Sequence, residues 1–133
     1  MLALESVEEA TGQRFLRAIG GGVEFGETAA QAVRREFVEE LGIEPEEVEL
    51  ISVTENLFSY EGEPGHEIAF IFAARGFALE EIPLDATLFV LDEGSPIRWH
   101  EIADIDPVGF PLYPEGAPAA LDAAAAFSVG AAA

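Results

Sequence analysis

The sequence predicts an α/β fold of the α+β type, a mixed β-sheet with helices packed on it. Three observations predict it. Strand-like and helix-like segments interleave along the chain. Two long β-rich segments meet at a glycine- and proline-containing turn, the pattern of an antiparallel hairpin. Between strands lies a helix with a start signal, a stop signal and an apolar stripe. The 133 residues are 50% hydrophobic and 10% aromatic, enough for one domain over 1–133 with a real core. No internal repeat or long low-complexity linker divides them.

Taken in order, Leu2 to Val7 is the only apolar stretch before Gln13. Gln13 to Ile19 reads as a strand ending at Gly20-Gly21-Gly22. Thr28 to Leu41 reads as a helix, because Thr28 with Gln31 three residues on is a capping-box pattern. Gly42 is placed to end that helix, and Pro45 prevents easy continuation. Val48 to Tyr60 and Glu67 to Phe77 read as antiparallel strands around a turn over Glu61-Gly62-Glu63-Pro64-Gly65. Leu88 to Leu91 and Ile97 to Trp99 are shorter strands around a turn at Asp92 to Pro96. Glu101 to Ile105 suits a helical turn, and Pro118 to Phe127 a second helix with proline near its first turn. The alanine-rich end, 117–133, reads as that one short helix and a frayed tail.

Composition narrows the function. There are 26 Asp plus Glu against 6 basic residues, all Arg, for a formal charge of −20. Phosphate backbones and anionic lipid would be repelled, so a nucleic-acid polymer and a membrane are both excluded as expected partners. An anionic substrate would need metal ions or a few well-placed Arg to overcome that field. The absence of Cys excludes disulfides, thiolate zinc sites and cysteine nucleophiles. The first residues lack a basic and then apolar leader, and the longest apolar runs, 68–74 and 123–127, are too short to span a bilayer. The expected location is cytoplasmic.

The chemistry concentrates between Gly20 and Ile43. Glu36, Glu39 and Glu40 stand at i, i+3 and i+4, and therefore share one arc of the helix about 100° wide. Ala30, Val33, Phe37 and Leu41 form the adjoining apolar stripe, which puts Glu40 at the border of the core and Glu39 outward. Close carboxylates on a helix repel, by about 0.2–0.5 kcal/mol per exposed pair. A hard cation such as Mg²⁺, Mn²⁺ or Ca²⁺ would reverse that sign; a solvated acidic face is the competing reading. The glycine-rich loop before the helix permits close backbone approach to a metal or a phosphate. Glu27 and Arg35 are opposite in charge and two turns apart, and could brace that loop against the helix. Arg14 and Arg17, on the strand before the loop, could bind substrate phosphates bidentately, Arg17 foremost. Phe58, Tyr60 and Tyr113 could stack on a base or sugar, or belong to the core.

Gly21, then five residues, Glu27, seven residues, and Arg35-Glu36-Phe37-Val38-Glu39-Glu40-Leu41-Gly42-Ile43 resembles the signature of the Nudix hydrolase family, with Phe37 where the family more often has Leu, Ile or Val. The resemblance implies a Nudix-like α/β/α sandwich and cleavage of a diphosphate linkage in a nucleoside diphosphate joined to another group, with Mg²⁺ or Mn²⁺ as cofactor. It implies that Glu36, Glu39 and Glu40 are metal ligands, with the Gly20 carbonyl as a further one. Glu27 and Arg35 would then be the structural pair. Asp92 to Trp99 resembles the loop and strand where many members place one more Glu, so Glu93 becomes a metal ligand or general base. Glu39, Glu40 and Glu93 are thus the expected catalytic residues, with Glu67 a second candidate base. Trp99 reads as core and His66 as a hydrogen-bonded structural residue. The family usually has a complete strand and turn before the region matching Leu2 to Glu5. Its loss would expose a sheet edge and invite a homodimer.

Three functions follow as expectations. The first is a metal-dependent nucleotide diphosphohydrolase acting by water attack. The second is a non-catalytic module that senses a nucleotide. The third is a non-enzymatic acidic cation buffer, which leaves the glycine loop and the Glu27/Arg35 pair without purpose.

Overall fold

The computed structural model describes residues 1–124 and 128–132. Its first strand, β1 (Leu2–Val7), is already inside a sheet. It pairs antiparallel with β2 (Arg14–Arg17) on one side and with β7 (Pro96–Trp99) on the other. Leu2, Ala3 and Leu4 are buried. The bare edge expected there is therefore absent, because β7 returns from far along the chain to cover it.

After β2 the same segment continues, past Ala18, as β3 (Ile19–Gly21). The single strand expected over Gln13 to Ile19 is thus broken, since β2 serves a five-stranded sheet and β3 a four-stranded one. The five-stranded sheet runs β6 (Thr87–Phe89), β7, β1, β2, β8 (Leu112–Tyr113); the four-stranded sheet runs β3, β9 (Ser128–Ala132), β5 (Glu63–Arg75), β4 (Glu47–Tyr60). The strand over Leu88 to Leu91 is shorter and starts earlier than expected. The β4–β5 turn is also tighter than expected. Glu61 and Gly62 alone make it, both at positive φ (52° and 79°), and Tyr60 pairs directly with Glu63. Two residues of that conformation match the twist of the flanking strands, so Glu63 to Gly65 join the strand instead of the turn.

Among the described residues there are three helices, α1 (Ala29–Leu41), α2 (Phe77–Glu80) and α3 (Ala117–Ala124), with a 3₁₀ turn at Ile102–Asp104. Alternate residues of a strand point to opposite faces, and the core divides accordingly. On one face Leu2, Leu4, Ile97 and Phe72 pack with Val33 and Phe37 of α1. On the other, Ala3, Leu16, Ile71 and Leu112 pack with Ala117, Ala120 and Leu121 of α3. Sheets lie between helices, the expected α/β/α arrangement.

The expected frayed tail is corrected. Ser128–Ala132 forms β9, which inserts between β3 (parallel) and β5 (antiparallel). Gly130 suits that place, because a Cβ there would stand 2.7 Å from both Phe37 and Val33 of α1. The part of the expected second helix over 125–127 lies outside the described residues. Among the described residues no helix is long and apolar enough to cross a membrane.

Candidate active site

Helix α1 is set in phase by its ends. The Thr28 hydroxyl accepts from the Gln31 N–H at 3.2 Å, and the Gln31 side chain accepts from the Thr28 N–H at 2.8 Å. Gly42 closes the helix in the left-handed conformation with its N–H on the Val38 carbonyl. Burial of Val33 and Phe37 then turns Glu36 and Glu40 to the border of the core and leaves Glu39 exposed.

Arg35 joins these carboxylates to the loop before the helix. It is bidentate on Glu27, Nη2 to Oε1 at 2.6 Å and Nε to Oε2 at 3.2 Å, and Nη2 also donates to the Gly22 carbonyl at 2.8 Å. Its Nη1 reaches Glu36 at 2.8 Å and Glu39 at 3.2 Å. The hydrogen bond from Arg35 holds the Glu27 carboxyl below its usual range, and Glu27 in turn, more than Glu36 and Glu39, holds Arg35 firmly protonated. One guanidinium thus offsets much of the repulsion that the spacing of the acids creates.

Glu40 is different. Burial, aided by the Glu36 charge, pushes its carboxyl up to about 8, against the lowering effects of the Gly20 backbone and Arg17. Its Oε2 is buried with no hydrogen-bond partner. An orphaned carboxylate oxygen is costly unless a proton or a cation satisfies it. Beside it, β3 comes so close to α1 that a Cβ on Gly21 would stand 2.3 Å from Glu36 Oε1. Hard oxygen donors converging on a glycine loop suit a divalent cation. As they stand, with Arg35 on Glu36 and Glu39, no three acidic or His side chains among the described residues are grouped tightly enough to hold one.

The glycine loop opens into a cavity of about 370 Å³ lined by Arg17, Gly20–Gly22, Glu67 and Tyr113. This cavity meets a larger cleft of about 960 Å³, with Arg17, Glu67, Tyr113 and Pro114 common to both. Arg17 stands at the junction, 3.4 Å from Glu93 and with Nε on the Ser6 hydroxyl at 3.3 Å. Tertiary structure therefore brings Arg17 and Glu67 to the junction, Gly20 to the smaller cavity and Glu93 to the larger cleft, while Glu40 lies next to Gly20 and, like Glu36 and Glu39, is not part of either lining. Arg14 lines the larger cleft but is engaged elsewhere, with Glu5 at 3.3 Å and over the Phe110 ring at 5.1 Å. Phe58 and Tyr60 line the wall of the larger cleft, where Phe15 packs edge-on against both Tyr60 and Tyr113. His66 is exposed, 3.1 Å from Glu55, and lines neither cavity. Trp99 packs against the α1-side core and donates to the Ile82 carbonyl at 3.1 Å.

Two residues of the cleft escaped sequence reasoning. Asn56 is 4% exposed and donates to Glu67 at 3.3 Å. Nothing in a run of alternating residues marks it as the inward polar one. Glu5 lies between Arg14 and Arg98, and its placement inside β1 among apolar neighbours was the available signal.

A NUDIX domain model matches residues 2–121. The chain is 48% identical over 40 residues to an RNA pyrophosphohydrolase of Pseudoalteromonas atlantica (strain T6c / ATCC BAA-1087), covering 30% of this chain and 23% of that protein. It is 46% identical over 41 residues to an RNA pyrophosphohydrolase of Francisella tularensis subsp. mediasiatica (strain FSC147), covering 31% of this chain and 26% of that protein. These alignments span about a quarter of the curated relatives' length. No solved structure matches. The domain match runs through the glycine loop, the capped helix and both cavities, and the chain belongs to the NUDIX domain family.

Proposed function

We propose that this protein is a metal-dependent hydrolase that cleaves a diphosphate linkage in a small nucleotide by attack of water. The observation that carries the reading is the buried, unpartnered Glu40 oxygen, on a carboxylate bonded to the Gly20 backbone, whose loop lines a cavity that meets a cleft large enough for a nucleotide. The relatives are RNA pyrophosphohydrolases, whose activity is of the same bond class.

Glu36, Glu39, Glu40 and the Gly20 carbonyl would hold Mg²⁺ or Mn²⁺. When bound, such an ion neutralises phosphate oxygens and lowers the pKa of water. Arg17, at the junction of the two cavities, binds a phosphate oxygen. The water oxygen forms a bond to one phosphorus as the bond from that phosphorus to the bridging oxygen breaks. The bridging oxygen leaves on the other phosphate, and the water proton passes to a carboxylate, for which Glu93, Glu67, Glu39 and Glu40 are the candidates. Glu27 and Arg35 keep loop and helix together. Phe58, Tyr60 and Tyr113 hold the organic part of the substrate.

The test is release of phosphate and nucleotide from a panel of nucleoside diphosphate derivatives, with Mg²⁺, with Mn²⁺ and with chelator, for the wild type and Glu40→Gln. Metal-dependent cleavage lost in the variant is the expected result. Nucleotide binding without cleavage by the wild type would favour a sensing module and overturn the proposal.

A further inference from the structure

The larger cleft is lined by six glutamates, Glu5, Glu8, Glu9, Glu67, Glu93 and Glu115, against two arginines, with a third, Arg98, reaching Glu5 from outside the lining at 3.0 Å. Both arginines already face carboxylates, Arg14 toward Glu5 at 3.3 Å and Arg17 toward Glu93 at 3.4 Å. The Glu8 carboxylate is held by the Thr11 hydroxyl at 2.6 Å. The Glu9 N–H donates to Glu61 at 3.0 Å and the Glu61 N–H to Glu8 at 3.3 Å, which ties the loop after β1 to the β4–β5 turn. Next to that tie the wall is aromatic: Tyr60 and Tyr113 each pack edge-on against Phe15, at 6.2 and 5.7 Å between ring centroids.

Resting on the hydrolase reading above, we infer that the cleft selects substrates whose group beyond the diphosphate carries a positive charge, and rejects those that carry further phosphates. Two physical effects act together. Carboxylates with low-dielectric walls concentrate a cation and repel an anion. Aromatic faces bind an ammonium group through their quadrupoles. The diphosphate sits at the glycine-loop end, where Arg17 stands. A third phosphate, or the next linkage of an RNA, would run along the acidic wall with no free guanidinium to meet it. The chain as a whole, with a charge of −20 and no Lys, offers no compensating basic surface.

The experiment compares cytidine diphosphate esters of choline, glycerol and glycerol phosphate, together with a short 5′-triphosphorylated RNA, at low and high salt. Cleavage is followed as kcat/KM, and binding by calorimetry in parallel. The expected order is choline, then glycerol, then glycerol phosphate and RNA, with roughly tenfold between the ends at low salt and little difference in strong salt. The double substitution Glu9→Gln with Glu115→Gln, at two exposed positions, is expected to narrow that gap roughly fivefold with an unchanged melting temperature. Equal or better use of the anionic ester or the RNA, or a gap indifferent to the two substitutions, overturns the inference while leaving the hydrolase reading intact. If none of the four compounds is cleaved with metal present, the calorimetric order alone upholds or overturns the charge selection, and the hydrolase reading is decided by the wider panel of nucleoside diphosphate derivatives.

Discussion

Arg17 of β2 and Glu93 of the turn before β7 meet at 3.4 Å where the two cavities join. They are remote in sequence, and each side chain is about half exposed, so their pairing adds little stability. Its consequence is for binding. Arg17→Met is expected to raise KM roughly tenfold for a diphosphate substrate, with kcat changed less. Steady-state kinetics on both variants check the pair. Glu93→Gln should lower KM by releasing Arg17, yet lower kcat; an unchanged kcat would remove Glu93 from the proton-accepting candidates.

Glu40 gives stability a pH dependence of unusual sign for a carboxylate. Its pKa rises from 4.5 to about 8 on folding. Between those values the folded chain holds more protons than the unfolded one, so this group's contribution is full below the lower value and is lost as pH rises through the upper. Glu40→Gln keeps the neutral form at every pH. The variant should melt above the wild type at pH 8–9, with the difference closing toward pH 4–5, and should lose roughly a hundredfold or more in kcat/KM. Melting curves of the two proteins across that range test the first part.

The Arg35 hub binds two segments through a planar fork that Lys cannot reproduce. Arg35→Lys is expected to lower the urea midpoint, since Glu27 loses its bidentate partner and the Gly22 carbonyl a donor. Urea unfolding of Arg35→Lys, Glu27→Gln and the double variant reads the coupling. Additive losses would mean that the two residues do not act as a pair.

Strand β9 leaves no room above Gly130. Gly130→Ala would set a Cβ 2.7 Å from Phe37 and Val33, and overpacking of this kind costs about 1–3 kcal/mol. A lowered melting temperature is expected, and its restoration by a second substitution, Val33→Ala, would locate the clash. A neutral Gly130→Ala would mean that β9 does not pass beneath α1.

Much of the local structure was legible because it depends on neighbours in sequence. Thr28, Gln31 and Gly42 mark the helix ends by side-chain and backbone chemistry within a few residues, and the apolar spacing of Val33 and Phe37 sets which acids border the core. The spacing from Gly21 to Ile43 carried the family, which the domain match over residues 2–121 shows. What the sequence could not supply was long-range pairing. A strand as short as β9, with little side chain, has no periodic signal; only a slot between β3 and β5 makes it a strand. The same holds for Leu2–Val7, whose second neighbour, β7, arrives from the far half of the chain. Asn56 was hidden for a related reason, since a polar residue in a strand is inward or outward according to register. The Arg17–Glu93 pair and the acidic, aromatic-walled cleft also required folding, because they are assembled from segments whose separation in sequence exceeds the reach of any local rule. The sequence alone determined the helix, its carboxylates and the loop before it. Tertiary structure decided what faces them, because burial and charge proximity are properties of the packed chain.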